Sequence, residues 1–321
     1  GAVSDGAVSD GAVSDGAAAS GNAAAFYLGP PLPLFGRLYQ LVETDSEIRL
    51  LALDAGRGEA MWSQSIAMVE RPILQDRSRR PIAVSPSYAD GVLVCPTANG
   101  VTVGVDPASR SLLWAYFYAQ EAEDLAPALI ARPSSNTDRD EMLTEWIEDC
   151  PVIADGRVLV APPGSESLDC VNLRDGRLHW RTPRQSDLYV ACVEGDAVVL
   201  VGPGAIRAVR LSDGMPAWDG RRINLPEGSI PSGRGFAAEG AYYVPLSTAE
   251  VLAVDIAAGK VSGIRKSRDA TAPGNLICHR DKVLSQNLDG LAVFDQREAL
   301  RSKVDAILAD APDDAVALGR R

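Results

Sequence analysis

Short apolar runs separated by tight-turn signals recur along the chain from about residue 26. A typical unit has an apolar run, a turn pair such as Asp90-Gly91 or Asp155-Gly156, and a second apolar run rich in β-branched residues. Asp-Gly and Gly-Asp pairs in this setting are typical of two-residue hairpins, because both central residues favour positive φ. The pattern therefore predicts antiparallel β-strands in a unit that repeats about every forty residues.

A nine-residue pattern marks the second half of each unit: an acidic or polar residue, then Gly four places on and Trp four places after that. The first residue suits an Asx-type turn, Gly suits its left-handed position, and Trp falls on an outer strand, where it packs against a neighbouring sheet. The copies begin at Asp54, Asp106, Asn172 and Arg210. A decayed fifth copy at Asp255 keeps Gly259 and lacks the Trp, and a sixth at Asp295 keeps only its first residue. The predicted structural residues are Trp62, Trp114, Trp180, Trp218, Gly58, Gly176, Gly214 and Gly259.

Each unit thus predicts four antiparallel strands. Four-stranded units of this length close radially, which leaves only short, protected sheet edges. We therefore predict an all-β fold, a β-propeller with about six visible blades and a short C-terminal α-helical extension.

The composition divides the chain into three predicted segments. Residues 1–25 begin with three copies of GAVSD and have little to bury, which indicates a low-complexity linker or unassigned segment. Residues 26–298 form the predicted propeller. Residues 299–321 continue an amphipathic helix predicted over 296–310, with Leu300, Val304, Ile307 and Leu308 on one stripe.

The Asp-x-x-x-Gly-x-x-x-Trp pattern, preceded by an Asp-Gly-Arg-Val type of hairpin, resembles the pyrroloquinoline quinone (PQQ)-like β-propeller repeat. The resemblance covers about residues 26–298 and implies a bacterial propeller protein. The C-terminal APDDAVALGRR resembles the entry into a tetratricopeptide helix. The family includes quinone-dependent alcohol dehydrogenases, outer-membrane assembly lipoproteins of the BamB type and extracytoplasmic sensor domains. The resemblance therefore implies a fold and leaves the function open.

Quinone chemistry finds little support in the residues. The resemblance would imply a catalytic Asp, a calcium ion held by Glu and Asn, and an adjacent Cys-Cys pair. The chain has two histidines and five separated cysteines, Cys95, Cys150, Cys170, Cys192 and Cys278. We therefore predict no enzymatic activity, no catalytic residues, no cofactor and no metal site.

The net charge and the hydropathy of the chain restrict the classes of partner and the compartments to be considered. A formal net charge of −12 argues against nucleic acid, because few basic groups are available to displace phosphate counterions. No apolar run reaches the roughly 18 residues of a membrane span, and no signal-peptide pattern opens the chain. The compartment stays open between the cytoplasm and the periplasm or cell envelope, which the family resemblance favours.

Two regions are candidate partner surfaces. The insertion at 119–148 combines acidic and apolar residues, among them Leu129, Glu141 and Trp146. It is either a solvated acidic loop or a partner-binding lid. Tyr189, Arg234 and Asn275 stand near the starts of inner strands, at the mouth of the propeller channel. A basic cluster at Arg77, Arg79 and Arg80 is a candidate ion-pair partner for the acidic insertion.

The predicted function is a non-catalytic protein-interaction scaffold, within a larger polypeptide or complex, that contacts another protein through the channel-mouth rim and residues 119–148. The BamB-like type favours the cell envelope. Three alternatives remain: a sensor that binds a small ligand in the channel, a membrane-coat-like propeller joined to helical repeats, and, least favoured, a quinone-dependent dehydrogenase.

Overall fold

The computed structural model describes residues 25–118, 148–267, 270–312 and 314. The alternating apolar runs form antiparallel sheets that follow one another along the chain, and we number these sheets as blades 1 to 6. Within blades 2 to 5, four strands lie side by side in chain order, named here inner, second, third and outer. The prediction of an all-β propeller is confirmed.

The strands of the first three blades have the following bounds. Blade 1 contains Phe26–Tyr27 and Leu32–Leu34, both paired with Arg37–Thr44, and then Glu47–Asp54 and Ala60–Met68. Blade 2 contains Ser87–Ala89, Val92–Pro96, Val101–Asp106 and Ser111–Phe117. Blade 3 contains Val152–Ala154, Arg157–Val160, Ser167–Asn172 and Leu178–Pro183. A short parallel pair, Ala83–Val84 with Glu148–Asp149, lies outside these sheets.

The last three blades continue the series. Blade 4 contains Tyr189–Glu194, Ala197–Val201, Ala205–Arg210 and Ile223–Asn224. Blade 5 contains Phe236–Ala238, Ala241–Leu246, Glu250–Asp255 and Lys260–Lys266. Blade 6 contains Asn275–His279, Lys282–Gln286 and Leu291–Asp295. The chain then forms the α-helix Arg297–Asp310, close to the predicted 296–310.

The hydrophobic core lies between blades. Each of four apolar clusters draws its buried side chains from two consecutive blades, from the blade 1–2 contact to the blade 4–5 contact. Strands in the middle of a blade are consequently apolar on both faces, as in Val92–Pro96, where every residue is buried. This arrangement explains why the sequence shows continuous β-branched runs in addition to alternating ones.

The repeat tryptophans link each blade to the next. The indole N–H groups of Trp114, Trp180 and Trp218 donate hydrogen bonds of 2.8 Å to backbone carbonyls of the following blade. The accepting carbonyls belong to Leu173, Leu211 and Ile256, each directly after the residue that opens the nine-residue pattern. The same indoles cover the repeat glycines Gly176, Gly214 and Gly259, so that a Cβ at these positions would lie 2.3–2.8 Å from ring atoms.

The predicted outer strand at Trp218 is wrong. Trp218–Gly220 forms a 3₁₀ turn, and all three residues have positive φ. The outer strand of blade 4 is therefore reduced to Ile223–Asn224. Trp218 nevertheless reaches the next blade, because its indole keeps the hydrogen bond to Ile256.

Blade 6 departs from the other blades. Three strands form its sheet among the described residues, and the face directed away from blade 5 exposes Ile277, Leu291 and Val293 at 55%, 60% and 56%. Gly263 stands where blade 5 would carry the repeat tryptophan, and Ala299 stands where blade 6 would carry the repeat glycine. The two halves of the indole contact are thus absent together at this junction.

The described helix Arg297–Asp310 is too short and too polar to cross a membrane.

Candidate protein-binding rim

The three predicted channel-mouth residues lie at one end of the strands. Every outer-to-inner connection between blades emerges at this end, which we call the connecting rim. Tyr189 begins the inner strand of blade 4, Arg234 lies two residues before that of blade 5, and Asn275 begins that of blade 6.

The structure brings these three residues together. The backbone N–H of Arg234 donates to the side-chain oxygen Oδ1 of Asn275 at 2.8 Å. The Arg234 guanidinium stands 4.8 Å above the ring of Tyr189, a distance typical of a cation–π contact. Arg234 thus joins blade 5 to blades 4 and 6 on the connecting rim.

Two buried tyrosines hold the backbone on both sides of Arg234 by hydrogen bonds. Tyr189 is 4% exposed, and its hydroxyl donates to the carbonyl of Gly233 at 3.3 Å. The hydroxyl of Tyr242 accepts the backbone N–H of Gly235 at 3.0 Å. Burial raises the pKa of Tyr242 to about 12 and that of Tyr189 well above its usual value. Both phenols therefore stay protonated at physiological pH, and the loop that carries Arg234 has a fixed hydrogen-bonded base.

A second cluster on the connecting rim was not predicted from the sequence. Arg207 donates through Nε to the carboxylate of Asp187 at 2.8 Å, and both side chains are about nine-tenths buried. Arg184 donates to the carbonyls of Pro162 and Leu188. Burial raises the pKa of Asp187, and the arginines around it act against that shift. These groups satisfy one another and fix the blade 3–4 connection.

Most of the insertion lies outside the described residues, including Leu129, Glu141 and Trp146. Its C-terminal end is described: Glu148–Asp149 pairs in parallel with Ala83–Val84. In addition, the backbone N–H of Ser85 donates to the carbonyl of Asp149 at 3.2 Å. The insertion therefore returns beside the blade 1–2 connection before the chain enters blade 3, a contact that no local sequence pattern indicated.

The basic cluster does not act as one unit. Arg79 is buried and donates to the carboxylate of Glu43 at 2.6 Å, with side-chain exposures of 6% and 4%. The interpretation that Arg79 pairs with the acidic insertion is therefore wrong, because its charge is compensated inside blade 1. Arg77 and Arg80 remain exposed on the connecting rim.

The His, Cys, Asp and Glu side chains of the described ranges are candidate metal ligands, and two buried cysteines are candidate nucleophiles. No three His, Cys, Asp or Glu side chains within these ranges converge as metal ligands. No disulfide joins any of the five cysteines in the described part of the chain. Burial raises the pKa of Cys95 and Cys170 to about 12, so these thiols are unreactive at neutral pH.

The fold and the indole contacts define a β-propeller built from tryptophan-docking repeats. The chain belongs to the PQQ-like family described as "Outer membrane protein assembly factor BamB", whose family model matches residues 139–309. No curated protein sequence matches the chain.

Solved structures agree on the fold. BamB from Moraxella catarrhalis is similar with a TM-score of 0.54 and 14% identity, over 86% of this chain and 76% of that one. The WD40 β-propeller domain of Doa1 is similar with a TM-score of 0.51 and 12% identity, over 82% of this chain and 76% of that one. At these identities the likeness concerns the fold alone.

Proposed function

We propose that this protein is a non-catalytic scaffold of the BamB-like type that binds another protein through its connecting rim. The observation that carries the proposal is the junction at Arg234, where a partly exposed guanidinium stands on a buried tyrosine at the meeting point of three blades. Arginine and tyrosine are enriched at the energetic centres of protein interfaces. A side chain that is already positioned loses little conformational freedom on binding.

The partner surface that we propose consists of residues 119–148, with Leu129, Glu141 and Trp146, and of Tyr189, Arg234 and Asn275. Support comes from the described ends of this segment, since Tyr118 and Glu148 both lie on the connecting rim. The cell envelope is the compartment we propose, because the matching family is described by an outer-membrane assembly factor. A propeller that presents rigid connecting loops suits this role, because the blades fix the positions of the loops.

The test is quantitative capture of cell proteins by the full chain and two matched variants. Arg234→Ala removes the guanidinium from the connecting rim. Arg174→Ala removes an exposed guanidinium from a blade 3 turn at the opposite end of the strands. We expect Arg234→Ala to lower the recovery of the partner by about tenfold, the effect of losing about 1.4 kcal/mol of binding free energy.

Arg174→Ala should recover the partner at the level of the unmodified chain. Thermal unfolding of both variants controls for folding. Equal recovery by all three proteins would contradict the proposal. Release of a bound small molecule on denaturation, without any captured protein, would favour the channel-sensor alternative.

A further inference from the structure

A groove of about 530 Å³ lies between blades 4 and 5, at the end of the strands opposite the connecting rim. Tyr189 begins the inner strand of blade 4 at the rim, and Glu194, which ends that strand, lines the groove. The volume falls within the range of about 300–1,000 Å³ that is typical of ligand pockets. The groove is therefore large enough for a ligand and separate from the rim surface proposed above.

The groove lies where blade 4 lacks most of its outer strand. In blades 3 and 5 the outer strand begins shortly after the repeat glycine, whereas in blade 4 it begins only at Ile223. Pro216, Trp218 and Asp219, which precede this strand, line the groove instead. Trp218 and Asp219 have φ of 52° and 55°, a left-handed backbone that is uncommon for these residue types and concentrated at functional sites.

Part of the lining is apolar and fixed in position. Trp218 is 8% exposed and Ile256 is 2% exposed, and the indole N–H of Trp218 donates to the carbonyl of Ile256 at 2.8 Å. Pro216, Ala217 and Ala257 extend this apolar surface along the groove. An aliphatic chain that lies on it is therefore removed from water without any rearrangement of the protein.

The rest of the lining carries carboxylates whose charge is not compensated. Glu194 and Asp196 are exposed, and no described Lys, Arg or His side chain forms an ion pair with either of them. The carboxylate of Asp219 is 94% exposed and stands 3.8 Å from the guanidinium of Arg221, a long ion pair. The groove therefore has a negative charge that is available to a ligand.

The neighbouring polar groups position these carboxylates and leave their charge in place. Arg210 also lines the groove, but its Nε and Nη2 donate to the carboxylate of Asp213 at 3.0 and 2.6 Å. Asp196 accepts hydrogen bonds from neutral groups, the backbone N–H and the hydroxyl of Ser212, at 2.7 and 2.9 Å. Glu194 Oε1 lies 3.6 Å from the position that a Cβ at Gly240 would take, so this carboxylate reaches the hairpin of blade 5.

The combination of apolar and acidic lining selects an organic cation with an aliphatic stem. An ammonium group is a compact charge with three donors and suits several separate carboxylates, whereas a guanidinium favours a two-pronged contact with one. The four-carbon stem of lysine lies along apolar surfaces while its charged end stays in water. The carboxylates of the groove are exposed, which leaves room for a peptide backbone on both sides of such a lysine.

We propose that the groove between blades 4 and 5 binds a lysine side chain of a partner protein. The aliphatic stem lies against Trp218 and Ile256, and the ammonium group lies beside Glu194 and Asp196. This site is independent of the connecting rim, because it lies at the other end of the strands.

The test is an NMR titration of the full chain with the peptide acetyl-Ala-Ala-Lys-Ala-Ala-amide. Binding is followed through the indole N–H of Trp218 and the backbone amides of Gly195 and Asp219. We expect saturable shifts at these three positions. The same peptide with norleucine in place of lysine keeps the stem and lacks the ammonium group, so it should bind at least about fivefold more weakly. Free n-butylammonium should also bind more weakly than the lysine peptide, because it lacks the flanking backbone.

Two chain variants complete the experiment. The double substitution Glu194→Gln and Asp196→Asn removes both charges and keeps an oxygen acceptor for Ser212, so it should weaken binding of the lysine peptide about tenfold. Asp155→Asn removes an exposed carboxylate from the blade 3 hairpin at the same end of the strands and should leave binding unchanged. Thermal unfolding of both variants controls for folding.

Three results would overturn the proposal. The first is the absence of saturable shifts at the groove with the lysine peptide. The second is equal binding of the lysine peptide by the double variant and the unmodified chain, or equal binding of the norleucine peptide. The third is binding of n-butylammonium as tight as that of the lysine peptide, which would assign the groove to a free amine.

Discussion

Replacing Gly259 by alanine lowers the free energy of unfolding by about 3 kcal/mol, the combined effect of left-handed backbone strain and overpacking. Gly259 has φ of 59°, and an added Cβ would lie 2.3 Å from Cγ of Trp218. The indole cannot retreat without breaking its hydrogen bond to the carbonyl of Ile256. Urea unfolding followed by far-ultraviolet circular dichroism measures the change.

Gly58→Ala is the matched control for this prediction. Gly58 occupies the same position of the repeat turn with φ of 70°, and nothing lies near its Cβ position. Its substitution should cost about 1 kcal/mol, from backbone strain alone. The difference between the two variants reports the indole contact. Equal destabilisation by both would show that the turn, rather than the tryptophan, makes glycine necessary.

Removing the indole itself has the second large effect. Trp180→Ala should destabilise the chain by about 3–5 kcal/mol, because it removes a buried aromatic side chain and leaves a cavity. Trp180 is 8% exposed and packs between blades 3 and 4. The same unfolding experiment measures the loss.

Phenylalanine variants separate the hydrogen bond from the packing. Trp180→Phe leaves the buried carbonyl of Leu211 without its donor, which should cost about 1–3 kcal/mol beyond the change in volume. Trp62→Phe makes the same change in volume where the indole N–H has no hydrogen-bond partner in the described structure. Trp62→Phe should therefore be the milder substitution. A greater loss at Trp62 than at Trp180 would contradict this view of the blade contacts.

Much of the fold could be predicted because the repeat consists of residues with strong preferences for turns or strands. Asp-Gly pairs favour a turn, β-branched runs suit strands, and a glycine followed four places later by a tryptophan recurs in blades 1, 3 and 4. The sequence could not show that the tryptophan of one blade covers the glycine of the next, because each tryptophan lies 31 to 59 residues before the residue whose carbonyl accepts its indole N–H. That relation depends on how blades stack.

The predictions that were wrong also depend on contacts and backbone angles that local sequence does not determine. Trp218 keeps the sequence pattern of an outer strand. Trp218 and Asp219 nevertheless adopt positive φ, which the pattern of residue types does not predict. Arg79 belongs to a basic cluster in sequence, and its partner Glu43 lies 36 residues earlier. The prediction that Tyr189, Arg234 and Asn275 share one end of the propeller followed from strand order alone. Their direct contacts required the three-dimensional structure.

Site-specific photo-crosslinking in growing cells tests the central claim, a protein partner on the connecting rim, most directly. A photoreactive residue is placed at Asn275, on the connecting rim, and in a second variant at Asp155, in the blade 3 hairpin at the opposite end of the strands. The account predicts a discrete crosslinked protein from position 275 and none from position 155. Crosslinking from position 155 alone, or from neither position, would contradict it.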